Sequence, residues 1–154
     1  MKYLQPPRIK ILEALGAIVD GRIENNKVYS SSRNKFYVVK CDGNKIYSND
    51  NGSYWKNYLG YPSIAYLMLN KKLSFNQDYA NALKGIKWKD LNQLYKNDFD
   101  KTLNYILNEI KDKINTNELN EYINKVLEEI KELDLELLEL KIKPPEGVLN
   151  SQVL

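Results

Sequence analysis

Residues 47–70 read Tyr-Ser-Asn-Asp-Asn-Gly-Ser-Tyr-Trp-Lys-Asn-Tyr-Leu-Gly-Tyr-Pro-Ser-Ile-Ala-Tyr-Leu-Met-Leu-Asn. They pass from a polar turn through an aromatic cluster into a segment apolar on nearly every side. Asn49, Asp50, Asn51 and Gly52 are turn formers, and Ser53 is placed to cap a short helical turn carrying Tyr54, Trp55 and Tyr58. Pro62 suits the first turn of a helix running from Ser63 through Leu69. A helix without a polar face belongs in a core, so the preceding residues should supply the layer it packs against.

Those residues read as strands. Short alternating or β-branched pieces occur at 22–24, 27–31, 35–41 and 45–48, and Asp42-Gly43-Asn44 between the last two is a hairpin signal. Further upstream, Pro6 and Pro7 precede a run with Ile9, Leu12, Leu15, Ile18 and Val19 at helical spacing, and Gly21 stops it. The spacing predicts a first helix over about 7–20, then an antiparallel sheet of three or four strands packed on the helix at 62–69. Short helices are expected at about 76–84 and 88–96. The fold class is therefore α+β, ending in a helical region.

From Asp98 onward the period is helical. Leu103, Ile106, Ile110 and Ile114 share one face, and Asn115-Thr116-Asn117 interrupts it with capping residues. The next pattern predicts a helix over 117–142, with Leu119, Ile123, Val126, Ile130, Leu133, Leu137 and Leu140 alternating steps of four and three. Isoleucine at a and leucine at d favour the pairing of two helices. That pairing has two readings: a hairpin with the preceding helix, or a homodimer or protein partner docked on this helix. Residues 133–142 also alternate as a strand would. Lys143-Pro144-Pro145 ends regular structure, and 143–154 is expected to be a flexible tail.

Composition narrows the function classes. The chain has 154 residues, 43% hydrophobic and 28% charged, which is ordinary for a soluble protein. No run is long enough to span a membrane, so no membrane association and a cytoplasmic location are expected. With one cysteine, Cys41, and no histidine, a Cys/His zinc site is excluded and the usual general base is missing. Neither catalysis nor a cofactor is expected. Cys41, in an apolar strand, reads as a small buried hydrophobe. The acidic residues Glu128, Glu129, Glu132, Asp134, Glu136 and Glu139 read as a solvated helix face.

Charge is unevenly distributed. Residues 1–75 hold 12 Lys and Arg against 5 Asp and Glu, and residues 76–154 hold 11 against 15. A basic first half suggests an anionic partner, with nucleic acid the first class to consider.

The hairpin Val28 to Val39, the strand Ile46-Tyr47-Ser48-Asn49-Asp50 and the helix opening Gly60-Tyr61-Pro62-Ser63 together resemble the ββα module of the SWIM family. That family carries Cys-x-Cys after its hairpin and Cys-x-His at its helix. Ser48-x-Asp50 and Gly60-x-Pro62 stand at those places, so all four metal ligands are absent. The resemblance covers about 27–70 and implies recognition of DNA or protein, with the aromatic cluster taking over the folding role of zinc. Pro6 to Ile18, Ser48 to Asn51 and Leu59 to Pro62 are also similar to small uncharacterised archaeal proteins.

The chain thus divides into an α+β domain at 1–96 with the SWIM-like core, a helical region at 97–142, and the tail. Aromatics beside lysines form stacking platforms for single-stranded nucleic acid, but twelve tyrosines spread along the chain also suit a core packed with rings. The binding candidates are Arg33, Lys35, Lys45, Asn49, Asp50, Asn51, Tyr54, Trp55 and Lys56.

Overall fold

The computed structural model describes residues 1–138 and 141–146 of the chain. Helix α1 spans Ile9–Val19, followed by strands β1 (Ile23–Glu24), β2 (Lys27–Tyr29), β3 (Phe36–Asp42) and β4 (Lys45–Ser48). A π-helical turn, Gly52–Lys56, leads to α2 (Tyr61–Leu69). Then come α3 (Gln77–Ala82), α4 (Trp88–Leu94), α5 (Phe99–Ile110), α6 (Thr116–Leu133) and a short strand β5 (Glu136–Leu137). The architecture is α+β, as the hydrophobic periods imply.

The sheet runs β1-β2-β3-β4-β5. The first four strands are antiparallel neighbours in chain order, with Gly43 supplying φ 62° at the β3–β4 turn. The fifth is added in parallel: Lys45 faces Glu136 and Ile46 faces Leu137. A fifth strand, and a parallel one, exceeds the three or four antiparallel strands expected.

Helix α1 is not a surface helix with one apolar stripe. Every residue from Ile9 to Ala17 is buried, Lys10 and Glu13 included, because α2, α3 and α5 all pack around it. The core continues from α1 through Val28, Val39 and Ile46 of the sheet to Ile64 and Leu67 of α2, and on to Ile106, Leu119 and Ile123.

Two expectations for the C-terminal helix need correction. The heptad pattern extends it to 142, but α6 stops at Leu133 and Asp134 takes a left-handed conformation, φ 50° and ψ 52°. Leu135 turns into the core, and Leu137 becomes part of β5 rather than a helical d position. Leu140 lies outside the described residues, as do 147–154 of the expected tail.

The remaining seam positions are covered within the chain. Leu119, Ile123, Val126 and Ile130 are buried and Leu133 is partly buried. Polar anchors hold α6 in place: Arg8 donates to Asn124 Oδ1 and to Asn120 Oδ1 at 2.5 and 3.0 Å. Ser74 donates through its N–H and hydroxyl to the two oxygens of Glu129, at 2.8 and 2.6 Å. Glu129 is therefore a docking residue rather than part of a solvated face. Cys41 is exposed, contrary to expectation, because it lies at the β3–β4 turn end.

Candidate functional site

Two groups of buried polar side chains meet around residues 48–63, and they differ in kind. One is closed. Asp50 accepts from the Ser48 hydroxyl at 2.6 Å, from the Ser53 hydroxyl at 2.8 Å and from the Ser53 N–H at 3.1 Å. Ser63 donates to Ser48 at 2.8 Å, and the Gly60 N–H donates to Ser53 at 3.2 Å. A Cβ on Gly60 would overlap the Asp50 carboxylate. Residues 48–53 and 60–63 are thus joined by serines and one carboxylate. Of the aromatic rings expected in that role, Tyr58 is buried and Tyr61 and Tyr66 pack against the core, whereas Trp55 is exposed with Tyr54 edge-on against it at 4.6 Å.

Burial pushes the Asp50 carboxyl above its ordinary value, against the hydrogen bonds from Ser48 and Ser53 and the charge of Lys10, which act to lower it. Among the described residues, no group of three or more His, Cys, Asp or Glu side chains could hold a metal ion.

The other group lines an open cleft of about 880 Å³. Its floor is Lys10 and Glu13 of α1 and Arg22, which follows the Gly21 stop. One wall is Ser30, Ser31, Lys35 and Tyr37; a second is the π-helical turn with Asn51, Trp55 and Lys56, backed by Tyr58 and Tyr61. The third is α4 with Trp88, Lys89, Asn92 and Gln93, joined by Phe99. Local structure explains several placements. Gly16 lets α4 approach α1, since a Cβ there would lie 2.6 Å from Trp88 Nε1. Lys89 N–H donates to Ser31 Oγ at 3.0 Å, which ties α4 to the β2–β3 loop.

Charges within the cleft are partly matched. Lys10 Nζ sits 2.8 Å from Glu13 Oε2 and 4.4 Å from the centre of the Phe99 ring. Burial acts to lower the pKa of Lys10, but Glu13, Tyr58 and Asp50 together outweigh it and hold the ammonium above its ordinary value. Lys35 is held below its ordinary value, by burial and by repulsion from Lys89 across the opening. Burial also raises the Tyr37 and Tyr61 phenols, so both stay neutral near pH 7. The side chains left without partners are deep: Arg22 Nε and Nη2, Trp88 Nε1 and Asn92 Oδ1.

Of the residues singled out from sequence, Lys35, Asp50, Asn51, Trp55 and Lys56 meet at this cleft. The other four do not line it. Arg33 points to the Asp20 carbonyl, at 2.9 Å. Lys45 lies at the far end of β4 against Asp42 and Glu136. Asn49 accepts from the Val38 N–H at 2.8 Å, and the Tyr54 carbonyl accepts from Lys141 at 3.1 Å. Sequence reasoning missed Lys10, Glu13, Arg22, Trp88 and Asn92. One signal was present: Lys10 and Glu13 are the only charged residues in an otherwise apolar α1.

No helix among the described residues is long and apolar enough to cross a membrane. Residues 3–136, which include every residue of the cleft, match the family described as uncharacterised conserved protein UCP014422, and the chain belongs to that family. No curated protein and no solved structure matches it.

Proposed function

We propose, with membership of that family as the premise, that the protein is a non-catalytic recognition module whose cleft mouth binds single-stranded nucleic acid. The carrying observation is Trp55, a large ring 64% exposed on the same rim as Lys35, Lys56 and Lys89. A ring in that position stacks an unpaired base, worth about 1–3 kcal/mol, while lysines beside it meet phosphates. Bases locked in a duplex cannot offer their faces to it. Phosphate between Lys35 and Lys89 would also relieve the repulsion that lowers the pKa of Lys35.

The likeness to a metal-free SWIM module belongs to this reading, with the Ser48–Asp50–Ser53–Ser63 network in the place of zinc. A protein-interaction role through α6 would have to use its solvent face, since Leu119, Ile123 and Val126 are fully buried.

Titration of a fluorescein-labelled oligouridylate at two salt concentrations tests the proposal. Three lysine contacts predict a slope of about −2 in log affinity against log salt. Trp55→Ala should weaken binding about tenfold without changing the melting temperature. No binding at low salt sinks the reading.

A further inference from the structure

Resting on that reading, we infer that the cleft interior receives one unstacked guanine base, held on its O6 and N7 edge by Arg22. Arg22 is 2% exposed, and its Nη1 donates to the Tyr29 carbonyl at 2.8 Å. Nε and Nη2, which form the side-on fork of the guanidinium, make no well-formed hydrogen bond among the described residues, the Tyr61 hydroxyl being the nearest phenol to the guanidinium. The Asp20 carboxylate stands 3.9 Å from Nε, beyond hydrogen-bond reach. Among the described residues Trp88 Nε1, which lies against Gly16, likewise lacks an acceptor, and Asn92 Oδ1 lacks a donor. The amide NH₂ of Asn92 is turned to Glu13 Oε1 at 3.4 Å, which the acceptor-only carboxylate requires.

Buried groups left in this state are costly, and here the side chains that carry them line a cleft of about 880 Å³. Their mixture selects the occupant. A phosphate or carboxylate brings acceptors only; it would leave Asn92 Oδ1 unmatched and would lie near the Glu13 charge. The edge of a base brings both donors and acceptors. Two adjacent acceptors facing an arginine fork are the O6 and N7 of guanine, whose N1–H and amino group remain free to donate. Adenine sets an amino donor beside N7, where it would meet the N–H groups of Arg22. Cytosine offers O2 and N3, but the breadth of the cleft and the rings of Trp88, Phe99 and Tyr61 suit a purine better. The phosphates on either side of such a base would reach the lysines at the mouth.

The test compares nonameric oligouridylates carrying a single central guanine, adenine or cytosine with the all-uridine oligomer. The guanine oligomer should bind about tenfold tighter than the others. Replacing that guanine with 7-deazaguanine should remove most of the gain, as should Arg22→Lys, which lacks the fork. Trp88→Phe, which keeps one aromatic ring and removes the pyrrole ring with its N–H, serves as a second variant should Arg22→Lys fail to fold, and it should reduce the guanine preference. Equal affinity for all four oligomers, or a preference for cytosine, overturns the guanine inference and leaves single-strand binding standing. If no oligomer binds, the broader reading fails, and guanosine monophosphate is titrated alone: saturable binding that depends on Arg22 keeps the pocket, and its absence sinks that too.

Discussion

Asp50 and Arg22 line the same cleft and are buried to nearly the same degree, 6% and 2% exposed, yet their surroundings are opposite. Asp50 receives three hydrogen bonds and is sealed by Gly60, whereas two nitrogens of Arg22 make no well-formed hydrogen bond among the described residues in a side chain that lines an open cavity. A buried polar group whose partners are all supplied by the chain holds the fold together. One whose partners are missing costs stability, and an evident use for it is to hold a ligand. The contrast assigns stability to the closed network and recognition to the open cleft.

Substitutions should separate the two. The largest loss is expected from Gly60→Ala, because its methyl group would displace Asp50 and break the network: about 3 kcal/mol by urea denaturation. An unchanged midpoint would mean the turn can open at little cost. Asp50→Asn keeps the shape but puts an NH₂ group among donors, and a loss of about 2 kcal/mol is expected.

The same variant carries a pH signature. The folded chain holds Asp50 above its ordinary 3.8, so it binds that proton more tightly than the unfolded chain does. Stability from this source is full below the ordinary value and falls as pH rises through the folded one. Asp50→Asn lacks that fall, so its deficit should shrink as pH rises from 4 to 7 in paired melting curves. A deficit that grows over that range contradicts the assignment.

Glu129→Gln weakens the bidentate anchor of α6 and should cost about 1 kcal/mol. The smallest effect belongs to the cleft mouth: Trp55→Ala removes a ring that is 64% exposed, so stability should stay within about 0.5 kcal/mol. A loss of several kcal/mol there would show that Trp55 has a structural task the comparison denies it.

Much of the fold was legible because its signals are local. Gly43 in the turn, the β-branched runs of β2 and β3, Pro62 at the opening of α2 and Asn115 capping α6 each act over a few residues. The end of α6 was not legible. The four–three spacing of leucines continues past Leu133, and only pairing of Glu136 and Leu137 with β4 decides for a strand. That is a contact across ninety residues; the alternation of 133–142 left the strand open as a second reading and could not choose between the two.

The site divides in the same way. Trp55 and Lys56 were found because an aromatic next to a lysine in a turn is a local pattern. Arg22 comes from the connection after α1 and Trp88 and Asn92 from α4, two segments far apart in sequence, and each is unremarked until folding brings it to one cavity. Cys41 misled because strand alternation does not say where a sheet runs out beyond its helices.

The chain has two tryptophans, one at the mouth of the cleft and one inside it, so its two indole N–H signals report the two parts separately. The decisive measurement is a proton–nitrogen correlation spectrum during titration with the all-uridine and the guanine-bearing oligomers. The account predicts that Trp55 shifts with both, and that Trp88 shifts only when guanine is present. If neither indole moves at low salt while the oligomers are in excess, the cleft is not a nucleic-acid site and the account is wrong.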